Sequence, residues 1–284
     1  MHSGVECLPC AIRQCRKLTG LLGVGPDVER RVVERVERIA PGLSLDEPPS
    51  TYTSRILLEA MDEMGTHDPF EKVKAEQNDE ARVLAEQADR ELGEGPDALY
   101  RALMLAAAGN VIDSGPRHEF PISDALARLS FARDDTPLLL ERVREARSLM
   151  YVLDNSGEVM FDRLVLKRLG VPGLTVVARS RPLLNDVTVE EARELGLEEF
   201  GTVIGTGSQF LGVDLATVSD EFREAYGNAD VVIAKGHANT ESLLGNGRDG
   251  FFVLKAKCEL VADLLGVGLG DSVCYHSPDA ESKN

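Results

Sequence analysis

The chain has 284 residues, with 48 acidic side chains against 31 basic ones and a formal charge of −17. Such a surface repels polyanions, which argues against nucleic acid and anionic membranes as partners. At 43% hydrophobic residues there is material for a sizeable core. No window approaches the ~20 apolar residues of a membrane span. The first residues carry no basic patch followed by an apolar run, so a cytoplasmic protein is expected.

The first third of the chain reads as helical. Cys7, Pro9 and Cys10 open a helix over 7–22, with proline at a first-turn position. Val28, Val32, Val33, Val36 and Ile39 recur at helical spacing over 27–39. Helices over 51–63 and 70–92 follow, and Pro96 opens another through Leu99, Leu103 and Ala106. Gly109 and Asn110, then Asp113, place polar groups on a tight backbone; helices are expected over 121–129 and 136–147. From 149 the period changes. β-Branched apolar runs at 149–153, 174–178, 201–204, 230–234, 250–254 and 272–275 alternate with helical patterns at 157–169, 188–195, 215–226 and 257–265. That alternation predicts a mostly parallel sheet covered by helices. The expected division is a helical domain over 1–100 and an α/β/α domain over 101–284.

In a parallel sheet the C-terminal strand ends share one edge, where open α/β folds bind ligands. Reading across that edge gives Asp154-Asn155, Arg179 through Asp186, Gly205 through Ser208, Lys235-Gly236-His237-Ala238-Asn239, and Lys255-Ala256-Lys257. Carboxylate and amide oxygens suit Mg²⁺ or Mn²⁺. Glycines beside a hydroxyl and a lysine suit a phosphate oxyanion.

Asp-Asn-Ser-Gly-Glu (154–158), Arg-Pro-Leu-Leu-Asn-Asp-Val-Thr (181–188), Ala-Lys-Gly-His-Ala-Asn-Thr-Glu (234–241) and Leu-Lys-Ala-Lys-Cys (254–258) resemble the motif series of the damage-control phosphatases, a metal-dependent family long known only as a domain of unknown function. Cys-Leu-Pro-Cys (7–10), Asp-Pro-Phe-Glu-Lys-Val-Lys (68–74) with Asn78, and Gly-Asn-Val-Ile-Asp (109–113) extend the likeness over nearly the whole chain. The cysteine pair is similar to the prokaryotic branch. The resemblance implies a helical N-terminal domain on a Rossmann-like three-layer α/β/α core. It implies one divalent cation (Mn, Mg, Co or Ni) held by Asp154, Asn155 and Asp186, and a small phosphorylated metabolite as the substrate whose ester is hydrolysed. The family often carries an acidic residue and Pro-Gly after the third strand of this run. Gly207-Ser208-Gln209-Phe210 stands there instead, so substrate identity is left open.

On this basis Lys235, Gly157 and Gly236 are expected to hold phosphate oxygens, with Ser156, Glu158, Asn239 and Lys257 beside them. Asn110 and Asp113 are expected to line the opposite wall, toward the leaving group. Either a metal-bound water or the Asp154 carboxylate attacks; the sequence does not choose. Blander readings stand beside these: Asp186 as a helix N-cap, Glu158 as an answer to a helix macrodipole, Lys257 as half of a surface ion pair. Cys7 and Cys10 lie about one helical turn apart. With Cys258 as a third ligand they make a candidate second metal or redox site. Three other functions compete. An aspartyl-phosphate enzyme commonly needs a second aspartate two residues after the first, where Ser156 stands. A non-catalytic, metal-dependent sensor of a phosphometabolite lacks turnover, and a methyltransferase needs a glycine-rich turn after the first strand.

Overall fold

The computed structural model describes residues 1–95, 97–112, 129–246 and 248–278, with side chains of 109–112 left aside. Among them are eleven α-helices and one seven-stranded sheet. The N-terminal helices are α1 (Cys7–Leu21), α2 (Pro26–Ile39), α3 (Pro49–Met64), α4 (Glu71–Leu92) and α5 (Ala98–Ile112). Then come β1 (Phe131–Asp134), α6 (Thr136–Glu145), β2 (Ser148–Val152), α7 (Glu158–Leu169), β3 (Gly173–Ala178), α8 (Val189–Glu194) and β4 (Thr202–Gly205). The chain continues with α9 (Asp220–Asn228), β5 (Val231–Lys235), α10 (His237–Leu243), β6 (Gly250–Lys255), α11 (Glu259–Leu265) and β7 (Ser272–Ser277).

The strand order is β1-β7-β6-β5-β2-β3-β4. Strands β4, β3, β2, β5 and β6 are parallel, β7 is antiparallel to β6, and β1 runs with β7. The sheet is mostly parallel, as expected. Val152 lies opposite both Val177 and Ala234, Ala178 opposite Gly205, and Lys235 opposite Val253, so the five strands end in one row.

Both sheet faces are covered, which is why the central strands read as unbroken apolar runs. Leu149, Tyr151, Val176 and Ile233 point to one face and pack with Ala85 and Ala88 of α4, Leu103 of α5 and Phe161 of α7. Met150, Val152, Val177 and Val232 point to the other, against Phe222, Leu243 and Val261 of α9, α10 and α11. A third cluster joins α1, α2 and α3 through Ala11, Cys15, Leu18, Val32, Val36, Ile56 and Leu57. It includes Leu183 and Leu211, from the loops after β3 and β4, so these three helices sit against the strand-end loops. Helix α4 joins the two regions: Phe70, just before it, packs in the helical cluster, and its later turns pack on α7.

Three elements differ from the sequence expectation. Strand β1 has three exposed residues of its four, so it carries no apolar pattern to read. Helix α10 buries Asn239, Thr240, Glu241 and Ser242, and a helix whose buried face is polar does not declare itself by hydrophobic spacing. Helix α9 begins at Asp220 rather than 215, because the Ser219 side chain caps it by accepting from the Phe222 N–H at 3.1 Å. The expected helix over 121–129 lies outside the described residues apart from its last position.

Phe222 is wholly buried in the second sheet face. Phe222→Ala should lower unfolding free energy by about 3–5 kcal/mol in urea titration. Val83→Ala, at a position 67% exposed, should stay within about 0.5 kcal/mol of the parent.

Candidate active site

The apolar strand β2 ends at Val152, and Leu153 extends its path by donating to the Val177 carbonyl at 2.9 Å. Asp154, Asn155, Ser156 and Gly157 follow, then α7. This segment pairs with the loop before α8: Asn155 and Asp186 form an antiparallel bridge. The Ser156 N–H donates to the Asn185 carbonyl at 2.8 Å, and the Val187 N–H donates to the Asp154 carbonyl at 3.0 Å. Backbone pairing thus brings together side chains 154, 155 and 186, which are 32 residues apart at the extremes of the sequence. All three are buried.

Asp186 is tied down by an arginine. Arg179, buried at the end of β3, donates from Nε to Asp186 Oδ2 at 2.7 Å, and from its terminal nitrogens to the Gly212 carbonyl and to Asn239 Oδ1 at 2.6 and 2.9 Å. The Asn239 amide in turn donates to the carbonyls of Leu153 and Lys235 at 2.9 and 2.7 Å. Asn239 therefore acts as a cross-brace between strand ends, with both ends of its amide engaged.

Lys235 has 0% exposure and lies beneath the carboxylates. Its ammonium donates to the Ala106 carbonyl, Glu158 Oε1 and Asp162 Oδ1 at 3.0, 2.5 and 2.8 Å, which occupies all three of its protons. The Tyr151 hydroxyl donates to the same Asp162 oxygen at 2.7 Å. Burial opposes the lysine charge, but Asp162 and Glu158 outweigh it and raise the pKa above the ordinary lysine value. Burial pushes Asp162 up to about 6 despite Lys235.

Gly236 follows Lys235 with φ +81°; a Cβ there would lie 2.0 Å from Asp154 Oδ2. Only glycine lets β5 end this close to the carboxylate. The N–H of Gly236 is spent on the Val253 carbonyl at 3.0 Å, and that of Gly157 on Asn78 Oδ1 at 2.7 Å. Neither amide, nor the Lys235 ammonium, points a free proton at an incoming phosphate. Ser156 and Lys257 differ. The buried Ser156 hydroxyl has no hydrogen-bond partner, and the exposed Lys257 ammonium makes no ion pair, among the described residues.

Burial, reinforced by the nearby charges of Asp186 and Glu158, raises the Asp154 pKa well above the usual carboxylate range. Burial raises Asp186 as well, against the pull of Arg179. Asp154, Glu158, Asp162 and Asp186 are four buried carboxylates set against Arg179 and Lys235; a third buried cation whose charge reaches Asp186, Lys74, is itself paired with Asp68 and Glu191. A divalent ion would balance that excess, and hard oxygen donors are the ligands it prefers. A cavity of about 10 Å³ touches Asp154, Glu158, Gly236, His237 and Lys257, the size of a single water or ion. The residues fit a divalent cation. A groove of about 770 Å³ between α4 and the loop before α8 lies away from these carboxylates, although Asn78 and Thr188 border it.

Asn110 and Asp113, expected on the opposite wall, lie outside the described side chains. The cysteines did not assemble as a metal shell: all are free thiols, and no three His, Cys, Asp or Glu side chains among the described residues gather to hold a metal. Cys7 is turned into the helical cluster, while the Cys258 sulfur faces His237 Nε2 at 3.4 Å. Arg179, Asp162, Asn78 and Glu241 carry contacts that the strand-end reading did not assign. Arg179 and Asn78 stood within its motifs, but their burial and partners are tertiary facts.

A model of the damage-control phosphatase ARMT1-like domain matches residues 4–273. A damage-control phosphatase of Pyrococcus horikoshii is 34% identical over 281 residues, covering 96% of this chain and 97% of that protein. One of Archaeoglobus fulgidus is 34% identical over 220 residues, covering 74% and 76%. The crystal structure of a DUF89 family protein from Pyrococcus horikoshii superposes with a TM-score of 0.88 at 33% identity, over 96% of this chain and 98% of that one.

Two outcomes follow from the buried charges. Lys235→Met strands two carboxylates without their counter-ion and should cost about 3–5 kcal/mol in denaturant unfolding. Glu241 is raised by burial from its ordinary 4.5 to about 8, so the folded chain holds this proton where the unfolded chain releases it. Its contribution to stability is therefore complete below pH 4.5 and is lost as pH rises toward 8. Glu241→Gln should flatten the decline in Tm across that window; an unchanged pH profile would contradict the assignment.

Proposed function

The chain belongs to the damage-control phosphatase ARMT1-like domain family, and from that premise we propose that it is a metal-dependent phosphatase acting on small phosphate esters, sugar phosphates or damaged phosphometabolites among them. One observation carries the reading: the excess of buried carboxylate charge at the row of strand ends, where burial pushes Asp154 and Asp186 toward their neutral forms even though Arg179 pairs with Asp186. In this proposal Asp154, Asn155 and Asp186 hold one divalent ion of the Mn, Mg, Co or Ni type. When bound, that ion supplies positive charge to a phosphoryl oxygen.

The chain's own residues do the rest. Arg179 fixes the Asp186 carboxylate by a hydrogen bond to one oxygen and leaves the other oxygen for a ligand. The Asn155 amide donates to Asp154 Oδ2 at 2.6 Å and orients that carboxylate in the same way. Lys257, exposed and close enough for its charge to bear on both aspartates, brings a mobile cation to the substrate phosphate. The Ser156 hydroxyl offers a neutral donor to another phosphate oxygen. Lys235 acts beneath the substrate, holding Glu158 at the cavity and tying it to α5. Preorganised charge of this kind is the main requirement of phosphoryl transfer.

The test is turnover of p-nitrophenyl phosphate and of a panel of sugar phosphates with each metal. Asp154→Ala and Asp186→Ala should each lower kcat/KM by about 10²–10³-fold or more, with far-UV circular dichroism unchanged, and EDTA should abolish turnover of the parent. Full activity in either folded variant ends the proposal. Tight binding of a phosphometabolite without turnover under any metal would favour a sensor instead.

A further inference from the structure

Lys257 stands on the turn between β6 and α11, and the proposed chemistry depends on how that turn is held. Its first half is tied to the chain beyond α11. The Ala256 N–H donates to the Asp271 carbonyl and the Gly270 N–H to the Ala256 carbonyl, both at 2.8 Å. The second half meets a side chain instead. The Lys257 N–H donates to Nδ1 of His237 at 3.5 Å, and the Cys258 sulfur lies 3.4 Å from Nε2 of the same ring. One imidazole thus touches two successive residues of the turn. The amide bond is at the long end of the range, so the sulfur contact beside it matters to the hold.

The ring is itself placed by its own helix. His237 is the first residue of α10, directly after Gly236, and its side chain is 16% exposed. Glu241, one helical turn along, brings Oε1 to 3.4 Å from His237 Nε2. To accept at Nδ1 the ring must be neutral with its proton on Nε2, where it faces Glu241 and Cys258. Burial, and after it the charge of Lys257, lowers the His237 pKa to about 4 and outweighs a hydrogen-bond contribution from the Lys255 backbone. His237 also borders the small cavity at Asp154, together with Gly236, Lys255 and Lys257.

We propose that His237 is a positioning residue: its ring fixes the backbone of the β6–α11 turn and so sets where Lys257 presents its ammonium to a substrate phosphate. The tether is at the backbone, which leaves the lysine side chain free to swing from a fixed root. Without the ring the Lys257 N–H loses its acceptor and the turn loses its link to α10. The ammonium then spends less time beside Asp154 and Asp186. A cation that binds the phosphate alike in the ground and transition states acts on KM rather than kcat, so the loss falls on KM. That consequence rests on the phosphatase reading; the tether itself does not.

Asparagine carries an acceptor oxygen on Cγ, where Nδ1 sits, whereas glutamine places its amide farther out, near Nε2. His237→Ala should raise the KM for p-nitrophenyl phosphate with manganese about tenfold and leave kcat within about twofold. His237→Asn should recover most of that KM and His237→Gln little of it. In a Lys257→Ala background, His237→Ala should add nothing, since the two side chains act through one contact. A second measurement needs neither metal nor substrate. Hydrogen exchange at the Lys257 amide, followed by NMR, should be about fivefold faster in His237→Ala and near the parent rate in His237→Asn. If His237→Ala does not fold, the contrast between the asparagine and glutamine variants decides alone. Unchanged exchange at Lys257, a loss confined to kcat, equal effects of asparagine and glutamine, or additivity with Lys257→Ala would each overturn the proposal. A parent without phosphatase activity whose variants still exchange in the expected order would sink the functional reading and leave the tether standing.

Discussion

The site depends on a short piece of backbone pairing outside the regular sheet. Residues 154–156 and 185–187 exchange hydrogen bonds as two antiparallel strands would, just beyond the ends of β2 and β3. Three oxygen-bearing side chains from two loops meet because of it. The pairing is anchored twice more, since the Arg179 N–H donates to the Val187 carbonyl and the Val189 N–H to the Arg179 carbonyl. Loops held this way behave as extensions of a rigid sheet, which keeps the proposed ligand set in place when like charges would drive it apart.

That repulsion is the cost of the arrangement. Buried carboxylates next to one another lose hydration and raise each other's pKa. The fold offsets part of this with Arg179 on one side, making three hydrogen bonds, and Lys235 on the other, saturated by acceptors. Lysine and arginine divide the work by shape: the planar fork spans a carboxylate, a carbonyl and an amide oxygen, while the compact ammonium fits between two helices and a strand. The balance is left negative, and that imbalance is the ground on which a cation is proposed there.

The helical elements complete the site rather than merely covering it. Asn78 of α4 holds the amide at the start of α7, and Lys74 pairs with Asp68 and Glu191 at 2.7 and 2.5 Å, pinning α4 to α8. Ser54 of α3 accepts the Leu211 amide at 2.8 Å. Under the proposed function the overall charge of −17 adds a constraint on the anionic substrate, which approaches against the global field toward the positive charge proposed for it at Lys257.

Much of this was legible in the residues alone. Apolar β-branched runs alternating with amphipathic segments determined a helix-covered parallel sheet, because strands buried on both faces must be apolar throughout. A parallel sheet then determined that Asp154, Asp186, Lys235 and Lys257 belong to one edge. Strand β1 and helix α10 escaped for the reason that a short exposed strand and a helix with a buried polar face have no hydrophobic period. Tertiary structure alone decided who is partnered. Lysine and asparagine at strand ends look the same in sequence whether they meet a substrate or the protein; Lys235 and Asn239 turned inward because carbonyls and carboxylates from distant segments were there to receive their protons. Hydrogen-bond satisfaction is a property of the packed chain, and no spacing rule in the sequence encodes it.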